Sequence, residues 1–511
     1  IKGASSTLYG GGAIAGLVNL ISKTPEDEPE LSFMANGTSA LGLDLSGFYS
    51  EKYGKTGTTV FASYNLGTPY DPADNGLTAI PKFERFTLNP KFYLYLNEKT
   101  NLNVGLNYVN EDRLGGAMDY VKGDSETGYF ERNKTDRLST QILGSHQLSD
   151  NTALTVKNSV SFFEREIDIP SYTFAGRQTS SFSEINIATS LTKTEWVAGA
   201  NLWTENFKQQ QGDSSQDLSF TNYTAGVFAQ NIWDIQEQWT LETGLRTDYQ
   251  SDYGVFVLPR LSLMFEPTNL LTFRIGGGMG YKTPTVFTED VERLQFRSVQ
   301  PINIDETDAE RSLGFNLDGN YKWSITNDLN LSTNVLLFYT RIDDPIVLNR
   351  TSGAMYEFVQ PGGHIESSGI ETNMRWKYKD FKLFVGYTLA DVNQHYNGAS
   401  EQYPLVSQHR LNNVLMYEKH DNFWIGLEGY YYSPQKLNDG STGQSYWILG
   451  VMTEKKLGEK FSVFLNFENF LDTRQSRFDT IYTGTLNDPN FRDIYAPVDG
   501  FVINGGFKLK L

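Results

Sequence analysis

The sequence predicts an all-β chain, a transmembrane antiparallel β-barrel of about 22 strands. Three observations predict it. Apolar and polar residues alternate along most of the chain, the alternating runs are long, and short polar turns are interleaved with long loops.

The alternation comes first. Leu102, Val104, Leu106 and Tyr108 are interleaved with Asn103, Gly105 and Asn107. Leu241, Thr243, Leu245, Thr247 and Tyr249 are interleaved with Glu242, Gly244, Arg246 and Asp248. The same period governs Phe461–Glu468 and the C-terminal run from Phe501 to Leu511. Period two gives each strand one apolar and one polar face. Runs 82–97, 151–168 and 329–343 each read as one strand of about 14 residues or more, well above the usual 5–6. Such lengths suit a wall that crosses a bilayer at a tilt and then projects beyond it.

Short turns are expected at 53–56, 97–100, 149–152, 192–194, 236–238, 267–269, 326–328, 379–380, 420–422 and 458–460. Longer Gly-, Pro-, Asp- and aromatic-rich loops are expected between them, at 67–81, 113–133, 282–304, 343–363 and 474–497, in strict alternation. The 8 Trp, 29 Tyr and 33 Phe suit aromatic girdles at the two membrane interfaces.

Composition removes other classes. With no cysteine, disulfide scaffolds, Cys zinc sites and Fe–S clusters are excluded. A net charge of −18 is a poor match to nucleic acid. No apolar run approaches the roughly 18 residues of a membrane helix. A soluble propeller would show blade repeats, and none is visible. Neither a Gly-x-Ser-x-Gly elbow nor a His-Glu-x-x-His motif is present, so no enzyme is expected.

The first residues differ from the rest. A small-residue stretch, Gly3 to Gly16, leads into 17–23, which reads as a strand, and then into an acidic, proline-bounded linker at 24–29. Gly10-x-Gly12-x-x-Ala15 matches a dinucleotide fingerprint on paper, but it precedes a strand instead of following one. Close backbone packing is the better reading. Ile1 opens inside this motif and no signal peptide is visible, so the chain is expected to be the later part of a longer protein.

Gly3, Ser6, Leu8, Tyr9, Gly10, Ala13, Gly16, Val18, Asn19 and Lys23 stand at the spacing found at the end of the plug in TonB-dependent outer-membrane receptors, and the chain resembles that family. Gly280–Thr285, Ser367–Glu371 and Glu468–Arg474 are similar to its mid-barrel, strand-start and near-terminal segments. Leu511 departs from the aromatic residue that often ends such barrels. The resemblance implies a plug remnant over 1–29 and a barrel over 30–511. It implies an outer-membrane location among lipid and lipopolysaccharide, coupling to TonB through a segment before Ile1, and no resident cofactor or metal. It further implies energy-coupled uptake of a scarce metal chelate, a ferric siderophore first, with cobalamin or haem import or a passive porin-like channel as alternatives.

An anionic catecholate chelate calls for Arg and aromatic side chains in the long loops. The candidates are Tyr129, Phe130 and Arg132; Tyr172, Phe174 and Arg177; Phe287, Arg293, Phe296 and Arg297; and Phe491, Arg492 and Tyr495. Each also reads as an ordinary loop or packing residue. Five histidines, at 146, 364, 395, 409 and 420, form no short-spaced pair, which disfavours haem.

Overall fold

The computed structural model describes residues 6–13, 16–213, 216–351, 353, 355–420 and 422–511. The alternating runs become one antiparallel sheet that closes on itself as a 22-strand barrel. Closure pairs the first strand, Glu30–Thr38, with the last, Val502–Lys510, so that Phe33 faces Leu509 and Ala35 faces Phe507. No wall edge is then left unpaired in lipid, where an open backbone group would cost several kcal/mol.

The long runs appear as strands Lys82–Asn97, Thr152–Ile169 and Leu329–Asp343. The longest, Phe130–Ser149, has 20 residues. At about 3.3 Å per residue such a strand is about 66 Å long, roughly twice the hydrocarbon thickness. Its upper part therefore stands outside the membrane.

Outward residues are apolar through the middle of the wall. On Trp239–Gln250, Trp239, Leu241, Leu245 and Tyr249 face out, while Gly244, Arg246 and Asp248 face in. Trp239 to Tyr249 spans about 33 Å along the strand, or about 25 Å at a tilt near 40°, which is the height of an outer-membrane apolar band. Trp196, Trp233, Trp239, Trp323 and Trp376 lie outward near the short turns, and Tyr108, Phe162, Tyr223, Tyr431 and Trp447 lie outward toward the other end. Trp203 and Trp424 break the girdle pattern. Their register places them inward, against Phe182 and opposite Glu454.

Two expectations need correction. Short and long connections do not alternate strictly: residues 39–42, 170–171 and 251–253 are tight turns on the long-loop side. At 170–171 the two strands extend so far past the membrane that a tight turn suffices. Residues 17–23 form no strand, and Val18, Leu20 and Ile21 are 85–91% exposed. A strand needs a ladder partner, and closure has already paired every edge of the wall.

Candidate functional site

Two interior features define the site: the lodging of the first residues inside the barrel, and a cavity at its long-loop mouth.

Ser6–Tyr9 forms one helical turn that packs against inward faces of strands spanning 220–282. Thr7 is fully buried, and a side chain at Gly244 would overlap it. Beside it, Arg246 and Asp248 are each 1% exposed and pair at 2.7 Å. Arg246 also donates to Asn201 Oδ1 at 2.9 Å, and the Tyr281 hydroxyl donates to Asp248 at 3.1 Å. Tyr281 stacks on Phe256 at 3.8 Å. Leu8 and Tyr9 belong to the helical turn; Gly10 follows with φ +90°, and its carbonyl accepts from the Ala13 N–H at 3.2 Å. Gly16 has φ +116°, whereas Val18 and Asn19 are exposed. Gly3 lies outside the described residues. The chain then runs along the inner wall, where Lys91 donates to Ser22, Tyr93 to the Lys23 carbonyl, and Lys52 pairs with Asp27 at 3.1 Å.

At the mouth, the loop spanning 283–309 folds inward. Its Val286, Val291, Phe296 and Val299 share a core with the wall residues Ile167, Phe174 and Phe207. Phe296 stacks on Phe174 at 4.2 Å, and Phe287 meets Phe207 edge-on at 5.0 Å. Arg165 clamps Glu292 through both carboxylate oxygens at 2.8 Å. The loop spanning 469–501 is knotted around Gln475, whose amide donates to the Asp493 carbonyl and whose oxygen accepts from the Tyr495 N–H at 2.9 Å. Tyr495 is buried, with its hydroxyl between Asp479 and the Gln444 N–H. Arg293 joins the two loops through Asp493 at 3.1 Å.

Between them lies a cavity of about 880 Å³. Arg113, Arg293, Arg297 and Arg492 line it, with Tyr129 and Phe491 in edge contact at 5.5 Å. Glu131, Glu289 and Asp493 also reach it, so its positive character depends on which arginines remain uncommitted. Arg492 is held by Asp439 at 2.9 Å, and Arg293 by Glu289 and Asp493. Arg297 has no ion-pair partner among the described residues. Arg113 pairs with Glu111 at 3.0 Å, while its buried Nε has no hydrogen-bond partner among the described residues. Burial pushes the Tyr129 hydroxyl up to about 12, with Glu131 adding to the rise and Arg297 opposing it.

The structure thus gathers Arg293, Arg297 and Arg492 with Tyr129 and Phe491, places Phe130, Arg132 and Tyr172 around a second cavity, and leaves the other candidates outside both. Tyr172 faces inward, but its hydroxyl donates to the Phe296 carbonyl at 3.3 Å. Phe287, Phe296 and Tyr495 are packing residues. Arg132 and Arg177 lie on the outward face, paired with Asp112 and Glu164, because they share the strand parity of the lipid-facing Leu138 and Ile185. Both side chains form ion pairs on the outer surface. Arg113, which no loop pattern singled out, lies near the end of the strand Thr100–Gly116; the parity of Leu106 and Tyr108 carried up that strand would have marked it inward.

The sequence matches the TonB dependent receptor-like, beta-barrel family over residues 48–470, most of the wall. The chain belongs to the TonB-dependent receptor family. As such it is a multi-strand barrel of the outer membrane, a class in which the longer loops are extracellular. This TonB-dependent receptor is 24% identical over 348 residues to the vitamin B12 transporter BtuB of Vibrio cholerae, covering 64% of the chain and 52% of that protein. The chain therefore spans about half the length of the curated relatives it matches.

Its fold is shared with solved receptors. The ferric enterobactin receptor PfeA of Pseudomonas aeruginosa superposes with a TM-score of 0.79 at 14% identity, over 100% of this chain and 84% of that one. The FrpB iron transporter of Neisseria meningitidis gives 0.77 at 16%, over 100% and 86%. The ferric-catecholate import receptor Fiu of E. coli K12 gives 0.75 at 13%, over 100% and 86%.

Proposed function

We propose that this receptor takes up an anionic ferric chelate of the siderophore class, with transport driven through TonB, and that residues 1–29 are the tail of its plug. The observation that carries the proposal is the arginine-lined extracellular cavity. Its volume, about 880 Å³, falls in the usual range for small-molecule sites. Arg297, which has no ion-pair partner among the described residues, offers a planar cationic face to a charged, aromatic ligand. The chain's net −18 repels anions at long range, so attraction must be local to this mouth.

The plug assignment has a physical basis in the same interior. The helical turn with Thr7 is buried against the inner wall, and residues 22–27 follow that wall to the first strand. A plug joined in this way would transmit a pull from the periplasm to the lumen.

Cobalamin is the rival cargo, and the similarity to BtuB is its support. A cobalamin lacks the net anionic charge that would reward a cluster of arginines. His364 and His395 do come together, but on the outward face, where they offer no axial ligands to haem in the lumen. The deciding experiment is growth of a deletion strain on single sources of iron and of cobalamin, with the full gene returned in trans. Restored growth on a ferric tris-catecholate, dependent on TonB, is the expected result. Restored growth on cobalamin alone would overturn the proposal.

A further inference from the structure

We propose that His364, Glu366 and His395 form a binding site for one divalent late-transition-metal ion, zinc foremost, on the outer wall above the lipid band. His364 and His395 are direct partners across the antiparallel strands Gly363–Tyr378 and Phe381–Tyr396. Their rings lie 4.6 Å apart at 25°. Glu366, two residues along on the same face, places Oε2 3.8 Å from His364 Nε2 and 4.0 Å from His395 Nε2. One donor atom from each residue fits within a 4.8 Å separation.

Tetrahedral zinc with ligands at 2.0–2.1 Å holds its donors about 3.3 Å apart, so small side-chain rotations complete the set. Two imidazoles and one carboxylate are a zinc-type donor set with a fourth position left for water.

Two further features favour a built site. The backbone here is fixed by more than the ladder. Gly363 has φ +143°, and any side chain there would collide with the His395 carbonyl. Asn397 and Gly398, at φ +52° and +83°, form the tight turn that follows His395 and leads into the short strand Ala399–Gln402. Glu366 also forms no salt bridge with a lysine or arginine among the described residues. Arg341, which stands across from it on the neighbouring strand, is held by Asp343 at 2.8 Å. The carboxylate therefore meets the two histidines within 4.0 Å and feels Arg341 only at longer range.

Position separates this site from the cargo path. His364, Glu366 and His395 share the outward parity of Ile370, Met374 and Trp376, so the ion would sit on the wall exterior and staple two strands. The inference does not depend on which chelate the receptor transports.

The test is a zinc titration of the complete chain, extracted folded in detergent and free of an affinity histidine tag, against a chromophoric chelator. One equivalent should bind with a Kd of about 10 μM or tighter. His364→Gln and His395→Ala should each weaken binding at least tenfold, while His409→Ala should leave it unchanged. Heat-modifiable migration on gels confirms that each variant is a folded barrel. Absence of zinc binding by the unaltered chain, or equal affinity in folded His395→Ala, would overturn the proposal.

Discussion

The Tyr281 N–H donates to the Gly11 carbonyl at 3.2 Å, and the Tyr281 ring covers the Gly11 Cα so closely that a side chain there would overlap it. This contact joins the opening segment to the barrel wall. Gly12, its neighbour, faces open space. Gly11→Val should therefore loosen residues 6–13, and Gly12→Val should not. Limited proteolysis between residues 13 and 30 reads the difference: cleavage should rise several-fold for Gly11→Val alone. Equal cleavage of the two variants would contradict the packing described.

Beneath that contact, Arg246 and Asp248 form a buried pair with Asn201 and Tyr281 as further partners. Removing one charge leaves the other without compensation, which typically costs about 3–5 kcal/mol. Arg246→Met should destabilise by that order in urea unfolding followed by heat-modifiable migration. Combining it with Asp248→Leu should recover much of the loss. An additive double variant would contradict the coupling.

The arginines make opposite predictions according to the face they occupy. Arg297→Ala should weaken binding of a ferric tris-catecholate about tenfold, equivalent to about 1.4 kcal/mol. Arg177→Ala, on the outer surface, should leave affinity within twofold. Equilibrium dialysis with radio-iron measures both. Loss of binding in Arg177→Ala without loss in Arg297→Ala would reverse the assignment of faces.

Asp439 links pH to the loops. The Ser441 hydroxyl and backbone N–H, together with Arg492, hold its carboxyl down to about 2. A depressed carboxylate gives stability that is present above its ordinary range and lost only as pH falls through the lowered value. The Asp439–Arg492 clamp should thus persist between pH 4 and 8. Hydrogen exchange over 433–445 and 488–495, corrected for intrinsic rates, should be flat across that range and faster in Asp439→Asn. A marked rise near pH 5 in the unaltered chain would contradict it.

Much of this architecture could be read before the coordinates. Leu241 to Tyr249 alternate because one face meets lipid and the other water, and nothing nonlocal is needed to see it. The turns at 53–56 and 379–380 were equally local. The mouth was not. Arg113 and Arg297 line one cavity only because a long loop folds back into the barrel, and sequence separation hides that. His364 and His395 are 31 residues apart, yet the hairpin makes them neighbours. Arg132 and Arg177 are a different case. Counting parity upward from Leu138 and Ile185 would have placed both outside.

Everything rests on a closed wall, and its seam can be locked. Ser32 faces Lys510, next to the Leu31–Leu511 pair, which exchanges backbone hydrogen bonds in both directions. Ser32–Lys510 is then a non-hydrogen-bonded pair, the closer kind in an antiparallel ladder. The chain has no native cysteine to interfere. Ser32→Cys with Lys510→Cys, oxidised in the native outer membrane, should join the first and last strands within one chain and give a circularised species under denaturing, non-reducing conditions. Failure to link, or links only between separate chains, would mean the sheet does not close.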